Sequence, residues 1–403
     1  MSRRQLREWM EGSEDFQEGL REVMQGFLEE ILEGEMEAAL GASKSERSEA
    51  RRGYRSGHYS RGLVTRLGKI ELRVPQDRNG LFCTEVFERY QRSEKALVSS
   101  LVEMYVQGVS TRKVKKITEE LCGHSFSKSA VSRSVKALDE QLERFSRRLL
   151  EKEYPYVILD ARYEKARDEG GVTRSQAVLV ALGITWEGRR EVLAVELAPK
   201  ESAGHWREFV EGLLARGLRG VKLVISDDHS GLRRAIQESL TGVMWQRCYV
   251  HFLRNALDHL PRSADESCLM QLRWIYEHGT IEAARLALGA WLRDWAEKYP
   301  KLCSWVEDNI EQTLTYLALP RAHHKHLKST NMLERLNQEL KRRTHIVRIF
   351  PNEASCLRLS RAVAAEIHDE WIEQHRYLDM RPLQDQCRRQ RTDGQTTIER
   401  QSA

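Results

Sequence analysis

The stretch LVISDDHSGL, Leu223 to Leu232, decides the fold. An apolar, β-type run, Leu-Val-Ile, stops at Ser226 and two adjacent aspartates, Asp227 and Asp228. One Asp after a strand is ordinarily a turn former or a helix N-cap. Two side by side repel each other unless something positive sits nearby. The pair is therefore a solvated turn, or one member holds a metal ion or works as an acid or base. Outward from it the pattern alternates. SAGHWREFVEGLLARG, closed by Gly217, reads as a helix before the strand VKLVIS, and SGLRRAIQESL reads as a helix after it. VMWQRCYV is a further strand or strand end. Upstream, PYVILDARYEKAR is a strand running into Asp160, and QAVLVALGITW and REVLAVELA are two strands joined by a turn at Glu187-Gly188. The order β-β-β-α-β-α-β predicts a mixed α/β sheet.

The chain has 403 residues, so several units are expected, and 40% apolar content supports real cores. Charged residues make up 31% and the net charge is +5, so clustering matters more than the total. No run of about 18 apolar residues reads as a membrane span. The start, MSRRQLREWMEGSEDF, has no apolar signal core. Seven scattered cysteines argue against a disulfide framework and for a reducing cytoplasm.

Residues 1–42 read as an amphipathic helix with Leu20, Val23, Met24, Phe27, Leu28 and Ile31 at three- and four-residue spacing, either a helical pair or a dimer contact. Residues 44–66 carry seven Lys/Arg against two Glu, with Tyr and His among glycines. Such a segment makes little core. It is either a solvated linker or a basic arm for a phosphate backbone, with Arg51, Arg52 and Arg55 as contacts. KIELRVPQDRNGLF follows as a short strand and turn. EKALVSSLVEMYVQG, STRKVKKITEEL and SKSAVSRSVKALDEQLERF read as helices, the last two joined by a turn at Gly123. That is a helix-turn-helix pattern, with Arg112, Lys113, Lys128 and Arg133 as DNA contacts. A helical hairpin with a wet basic face is the plain alternative. From about Leu260 to Leu327 the pattern is helical, with Trp274, Trp291, Trp295 and Trp305 expected in its core.

Asp160 follows YVIL and Asp227 follows LVIS. If those strands are neighbours, the carboxylates lie side by side, since adjacent strands are about 4.8 Å apart. Such a pair is costly in a partly buried site, and a hard divalent cation with oxygen ligands resolves the cost. A third acid stands in STNMLERLNQELKRRTHIVRIFPNEAS, where Leu333, Leu336 and Leu340 mark the buried side of a helix and Glu334 the other. Asn331 and Glu334 also have capping-box spacing. Residues 321–350 hold eight Lys/Arg against two Glu, an environment suited to metal and phosphate together. Cys248 and His251 form half a zinc site, which the histidines of RAHHKH would have to complete. Otherwise they orient phosphate or a carboxylate, or only pack.

These motifs resemble the bacterial mutator-type insertion-sequence transposases. LDARYEKAR, ESAGHW, ISDDHSGL, WQRCYVHFLRNAL and TNMLERLNQELKRR stand in the family's order over about Pro155 to Leu359. The resemblance implies an RNase H-like catalytic domain with a DDE triad of Asp160, Asp227 and Glu334, holding two Mg²⁺ ions that Mn²⁺ can replace. It places Cys248, His251 and Asp228 beside the triad. The family has Gly directly after the second acid where this chain has Asp228, so Asp228 is the alternative metal ligand. Lys165, Arg167, Arg247, Arg254, Lys341, Arg342 and Arg343 are the expected phosphate contacts.

The expected organisation is a helical segment (1–43), a basic arm with short strands (44–92) and a helix-turn-helix domain (93–150). The catalytic domain (151–259 and 328–380) is interrupted by an all-helical insertion (260–327), and a charged tail (381–403) follows. The implied activity is metal-dependent DNA strand cleavage and transfer. The implied partners are terminal inverted repeats, target DNA and a second copy or more of the chain, at the nucleoid and not at a membrane. A silenced DNA-binding relative and an RNase H-like nuclease that cuts without joining are the other readings.

Overall fold

The computed structural model describes residues 13–46, 51–80, 82–87, 93–109, 111–122, 126–136, 138–261, 266–374 and 376–401. Two compact units divide the chain, Met1–Leu138 and Asp139–Ala403.

In the first unit, helix α1 (Ser13–Leu40) buries Leu32 and Met36 completely. It lies on an antiparallel hairpin of β1 (Arg55–Thr65) and β2 (Gly68–Asp77). Ile70, Leu72 and Val74 alternate inward and meet Leu32, Leu63 and Phe87. The expectation that residues 44–66 make little core is therefore corrected for their last part. Leu63, Val64 and Thr65 are buried, Leu63 on the inward face it shares with Ile70 of β2 and Val64 on the other side in the cluster of Leu101 and Val114, while Gly57–Ser60 stay exposed. Helices α2 (Lys95–Val106), α3 (Thr111–Cys122) and α4 (Lys128–Lys136) enclose Leu101, Val114, Phe126, Val131 and Val135. Ser127 Oγ accepts from the Ala130 amide at 3.1 Å and starts α4.

The single helix expected over Ser127 to Phe145 is two helices. α5 (Asp139–Arg147) belongs to the second unit, where Arg358 pairs with Asp139 and Arg361 with Glu143. The mixed sheet there has the order β5-β4-β3-β6-β7. β3 (Tyr156–Arg167), β4 (Thr173–Ile184) and β5 (Arg190–Ala198) are antiparallel neighbours. β6 (Leu223–Ser226) and β7 (Met244–Arg247) run parallel to β3. The Leu-Val-Ile run is buried because β6 lies inside the sheet. Helices α6 (Ala203–Ala215) and α7 (Ser230–Ser239) supply Trp206, Val210, Leu213, Leu232 and Ile236 to its core.

Both sheet edges are occupied. Along β5, Arg148 donates to the Val192 carbonyl, Arg216 to Leu193 (2.9 Å) and Arg361 to Val195 (3.2 Å), while His368 Nδ1 accepts from the Val192 amide (3.2 Å). Those side chains satisfy groups that an open edge would offer to another strand. On β7, Gln246 donates to the Thr313 carbonyl and accepts from the Tyr316 amide.

Burial, with the nearby Arg148 charge, holds the His368 imidazole down at about 4. The unfolded chain takes up that proton below about 6.5 and the folded chain does not. Stability should therefore fall as pH drops from about 6.5 toward 4 and then level off. Thermal melts across that window should show the fall in wild type and a smaller one in His368→Gln, which keeps an acceptor without a titrating charge. Equal slopes would assign the acid sensitivity to other groups.

After β7 come α8 (Tyr249–Ala256), α9 (Glu266–Trp274), α10 (Ile281–Trp295), α11 (Pro300–Asn309) and α12 (His324–Leu327), with three 3-10 turns between α11 and α12. Trp291 and Trp295 are buried, and Trp305 stacks on Phe252 and His259. Trp274 departs from expectation and is 56% exposed. The buried stripe of α9 runs through Cys268 and Leu272, and a residue two positions beyond Leu272 leaves that face. Helices α13 (Glu334–Val347), α14 (Glu353–Glu373) and α15 (Arg381–Gln401) complete the unit, with α14 packed on β5. Among the described residues no helix is long and apolar enough to cross a membrane.

Candidate active site

The parallel register of β3 and β6 matches Ile158 with Ile225. Two residues further, Asp160 and Asp227 lie side by side: Asp227 directly follows β6, whereas Asp160, expected at a strand end, lies inside β3, which runs on to Arg167 because it stays paired with β4. β6 and β7 match Ser226 with Arg247, and the Cys248 amide donates to the Ser226 carbonyl at 2.7 Å. Asp160 inside β3, Asp227 after β6 and Cys248 after β7 thus form one row across three neighbouring strands.

Removal from water pushes the Asp160 carboxyl up to about 6, and the Asp227 charge adds to that rise. Asn337 opposes it by donating Nδ2 to Asp160 Oδ2 at 2.7 Å. Asp227 Oδ1 accepts from the His229 amide at 3.3 Å. Two neighbouring carboxylates, one desolvated, suit a hard divalent cation in donor chemistry.

Asp228 has a different task. Its Oδ2 lies 2.8 Å from Arg247 Nη1 and its Oδ1 lies 3.3 Å from Arg233. Arg247 is 2% exposed, donates to Asn309 Oδ1 at 3.2 Å and sits over the rings of Phe252 and Trp305. Asp228 is thus the counter-ion of a buried arginine that ties β7 to α11. Its φ is not positive, so the glycine of the family pattern is not needed there. The glycine this turn does need is Gly231, where a Cβ would lie 2.6 Å from the Ala203 amide nitrogen.

Helix α13 is fastened across β3. Arg162 donates to the Asn337 carbonyl at 2.6 Å, and Thr344 to Glu164 at 3.0 Å. Beyond its end, the Phe350 amide donates to the Lys165 carbonyl and the Arg167 amide to the Phe350 carbonyl. Glu334 stands one turn before Asn337 on the same helix face, exposed, and accepts from Gln338 at 3.1 Å. No side chain caps this helix, so the capping-box reading of Asn331 and Glu334 is corrected. The structure brings Asp160 and Asp227 together and places Glu334 one turn from Asp160's partner. Among the described residues no group of three or more His, Cys, Asp or Glu side chains is placed to hold a metal ion, so Glu334 does not close a three-acid site with Asp160 and Asp227 in this structure.

Cys248 is buried and accepts from the Thr330 amide at 3.5 Å. Burial raises its thiol, but hydrogen bonding and charge from His251 leave it lower than usual. The same contact raises His251 against burial, with Asp160 and Asp227 adding. The RAHHKH histidines have other partners. His323 meets Tyr156 and the Asp379 carbonyl, His324 the Leu319 carbonyl, and His326 Tyr377.

The expected phosphate contacts divide. Arg52, Lys113, Arg133, Lys165, Arg167, Arg254 and Lys341 are exposed. Arg51 donates to the Glu46 carbonyl, Arg55 pairs with Glu33, and Arg342 with Glu339. The side chains of Arg112 and Lys128 lie outside the described ones. Arg247 and Arg343 are corrected, because both are buried against carboxylates, Arg343 between Glu366 and Glu339. Such a guanidinium serves the fold rather than a ligand. Sequence reading assigned no role to Asn337 or to Glu201, which lies 3.8 Å from His229. Three-residue spacing from Glu334 was the available signal for Asn337; Glu201 carried none beyond its place in ESAGHW.

The family described as "Transposase, Mutator family" matches residues 3–374. The transposase for insertion sequence element ISRM5 of Rhizobium meliloti is 61% identical over 368 residues, 91% of this chain and 92% of that one. The transposase for IS256 in transposon Tn4001 of Staphylococcus aureus is 44% identical over 355 residues, 87% of this chain and 90% of that one. That for IS1081 of Mycobacterium tuberculosis is 36% identical over 366 residues, 90% of this chain and 88% of that one. With nearly its whole length matched by the family and by these relatives, the chain belongs to the Mutator family of transposases.

Proposed function

We propose that this transposase cuts and joins DNA at the ends of its own insertion sequence, with Asp160, Asp227 and Glu334 as the acidic set of an RNase H-like domain. The observation that carries the reading is the register of β3 and β6, by which Asp160 and Asp227 are neighbours where β6 ends. The order β5-β4-β3-β6-β7, with three antiparallel strands and then two parallel ones, supports the RNase H-like assignment. Two divalent ions, Mg²⁺ or Mn²⁺, held by these carboxylates would supply activation of the attacking hydroxyl and stabilisation of the leaving 3′-oxygen. Asn337 holds the Asp160 carboxylate in place, and the Arg162 bond to the Asn337 carbonyl holds the helix that carries Glu334. Exposed Arg254 and Lys341 are suited to the phosphates around the scissile bond. Helices α3 and α4 form the helix-turn-helix that reads the inverted repeats, with Ser129, Ser132, Arg133 and Lys136 on the exposed side of α4. Two ends must meet for joining, so a dimer or larger assembly forms on DNA.

The test uses labelled DNA carrying the element end with its flank, in Mg²⁺ or Mn²⁺. Wild type should nick at the end and join it to target. Glu334→Gln should bind the end normally and lose at least about a hundredfold in both steps. Undiminished cleavage by that variant would remove Glu334 from the set.

A further inference from the structure

The β3–β4 ladder continues past the point where β6 ends, pairing Tyr163 with Ala177, Lys165 with Ser175 and Arg167 with Thr173. Side chains alternate across a strand, so this extension has two faces. One is closed by α13 and the chain after it. Arg162 bonds to the Asn337 carbonyl, Glu164 accepts from Thr344, and Ala166 is fully buried. The other face carries Tyr163, Lys165, Arg167, Thr173 and Ser175, all exposed, with Tyr163 52% exposed. None of the five is acidic. The nearby Asp168 is taken up by Arg174 at 2.6 Å.

This face meets the reacting centre on its Asp227 side. Tyr163 lies three residues beyond Asp160 on the same strand and so leaves the opposite face from Asp160, toward Glu201 and Asp227. Burial and the Glu201 carboxylate keep its hydroxyl protonated, with Asp227 also contributing. Glu201 is itself nearly buried, lies 3.8 Å from His229 Nδ1, and the His229 amide holds Asp227. A half-exposed aromatic ring, two cations at alternate positions and small hydroxyl neighbours make a surface for a polyanion whose flat rings are free to stack. A paired duplex hides its base faces, and an unpaired strand shows them.

We propose that the outer face of the β3–β4 hairpin is a platform for an unpaired DNA strand beside the scissile phosphate. Tyr163 stacks on a base, and Lys165 and Arg167 take successive phosphates. The proposal rests on Asp160 and Asp227 being the reacting centre. It assigns Tyr163 a role in telling an opened end from a closed one.

The test is metal-free binding, read by fluorescence anisotropy, so that cleavage plays no part. Two labelled substrates are compared, an element end with a fully paired flank and the same end with the flank unpaired. Wild type should bind the unpaired form more tightly. Tyr163→Ala should weaken binding to the unpaired form about tenfold and leave the paired form unchanged, while Tyr163→Phe keeps the preference. The double variant Lys165→Ala, Arg167→Ala should weaken the unpaired form and flatten its salt dependence. If wild type does not distinguish the two ends, or Tyr163→Ala distinguishes them as well as wild type, the platform is wrong. Nicking of the paired end in Mg²⁺, run in parallel, reports separately on the acidic set.

Discussion

Asp160→Asn should abolish cleavage and joining, and its metal-free form should melt at a higher temperature than wild type. Asp160 is held near a pKa of about 6 by removal from water and by Asp227. The folded chain therefore keeps a proton between about 3.8 and 6 that the unfolded chain has already lost. Stability falls as pH rises through that window, and the cost persists at neutral pH. Two units at ~1.36 kcal/mol each bound it at about 3 kcal/mol. An amide carries no charge to desolvate, and its oxygen still accepts from Asn337. Calorimetry at pH 7 without divalent ions should show the gain. Adding Mg²⁺ or Mn²⁺ should raise the melting temperature of wild type, because binding to the native state alone stabilises it, and should hardly move the variant. A variant that melts lower, or gains as much from the metal, would show that Asp160 is not a strained carboxylate awaiting a cation.

The second large effect separates Asp227 from Asp228. Asp227→Ala should be inactive yet as stable as wild type, because it removes one of two repelling charges. Asp228→Ala should be badly destabilised, because it strips Arg247, 2% exposed, of its 2.8 Å carboxylate. Removing one member of a buried pair costs about 3 kcal/mol or more. Asn309 and the two rings remain but supply no charge. Urea unfolding reads the loss. Adding Arg247→Met to Asp228→Ala should restore part of it, since the orphaned charge is then gone. If Asp228→Ala proves inactive but fully stable, Asp228 and not Asp227 is the metal-facing acid.

The succession of strands along the chain and the positions of both aspartates were legible because buried strands announce themselves as apolar runs, and each run stops at its acid; which strands are neighbours was not. Glu334 was legible by the buried leucines behind it. What the sequence hid was pairing across distance. Nothing local distinguishes the exposed Arg254 from the buried Arg247 in the run from Gln246 to Arg254, since burial depends on Trp305 and Asn309 of a remote helix. Arg343 was misread for the same reason, its glutamate partner lying 23 residues on. The break before α5 was missed because helical periodicity runs straight through it, and only Arg358 and Arg361 of α14 decide where that helix belongs.

The bond from Asn337 to Asp160 spans 177 residues. At ~5–20 residues per second, about 10–35 s of translation separate the two partners. During that time the first aspartate is made, and then the second, while the helix carrying the last acid does not yet exist. A chain still on the ribosome, or one broken off before residue 334, carries the first unit and the sheet strands but an incomplete acidic set. Under the proposed roles, such a fragment occupies an element end without cutting it. On those roles an aborted chain would compete with finished ones for the same end.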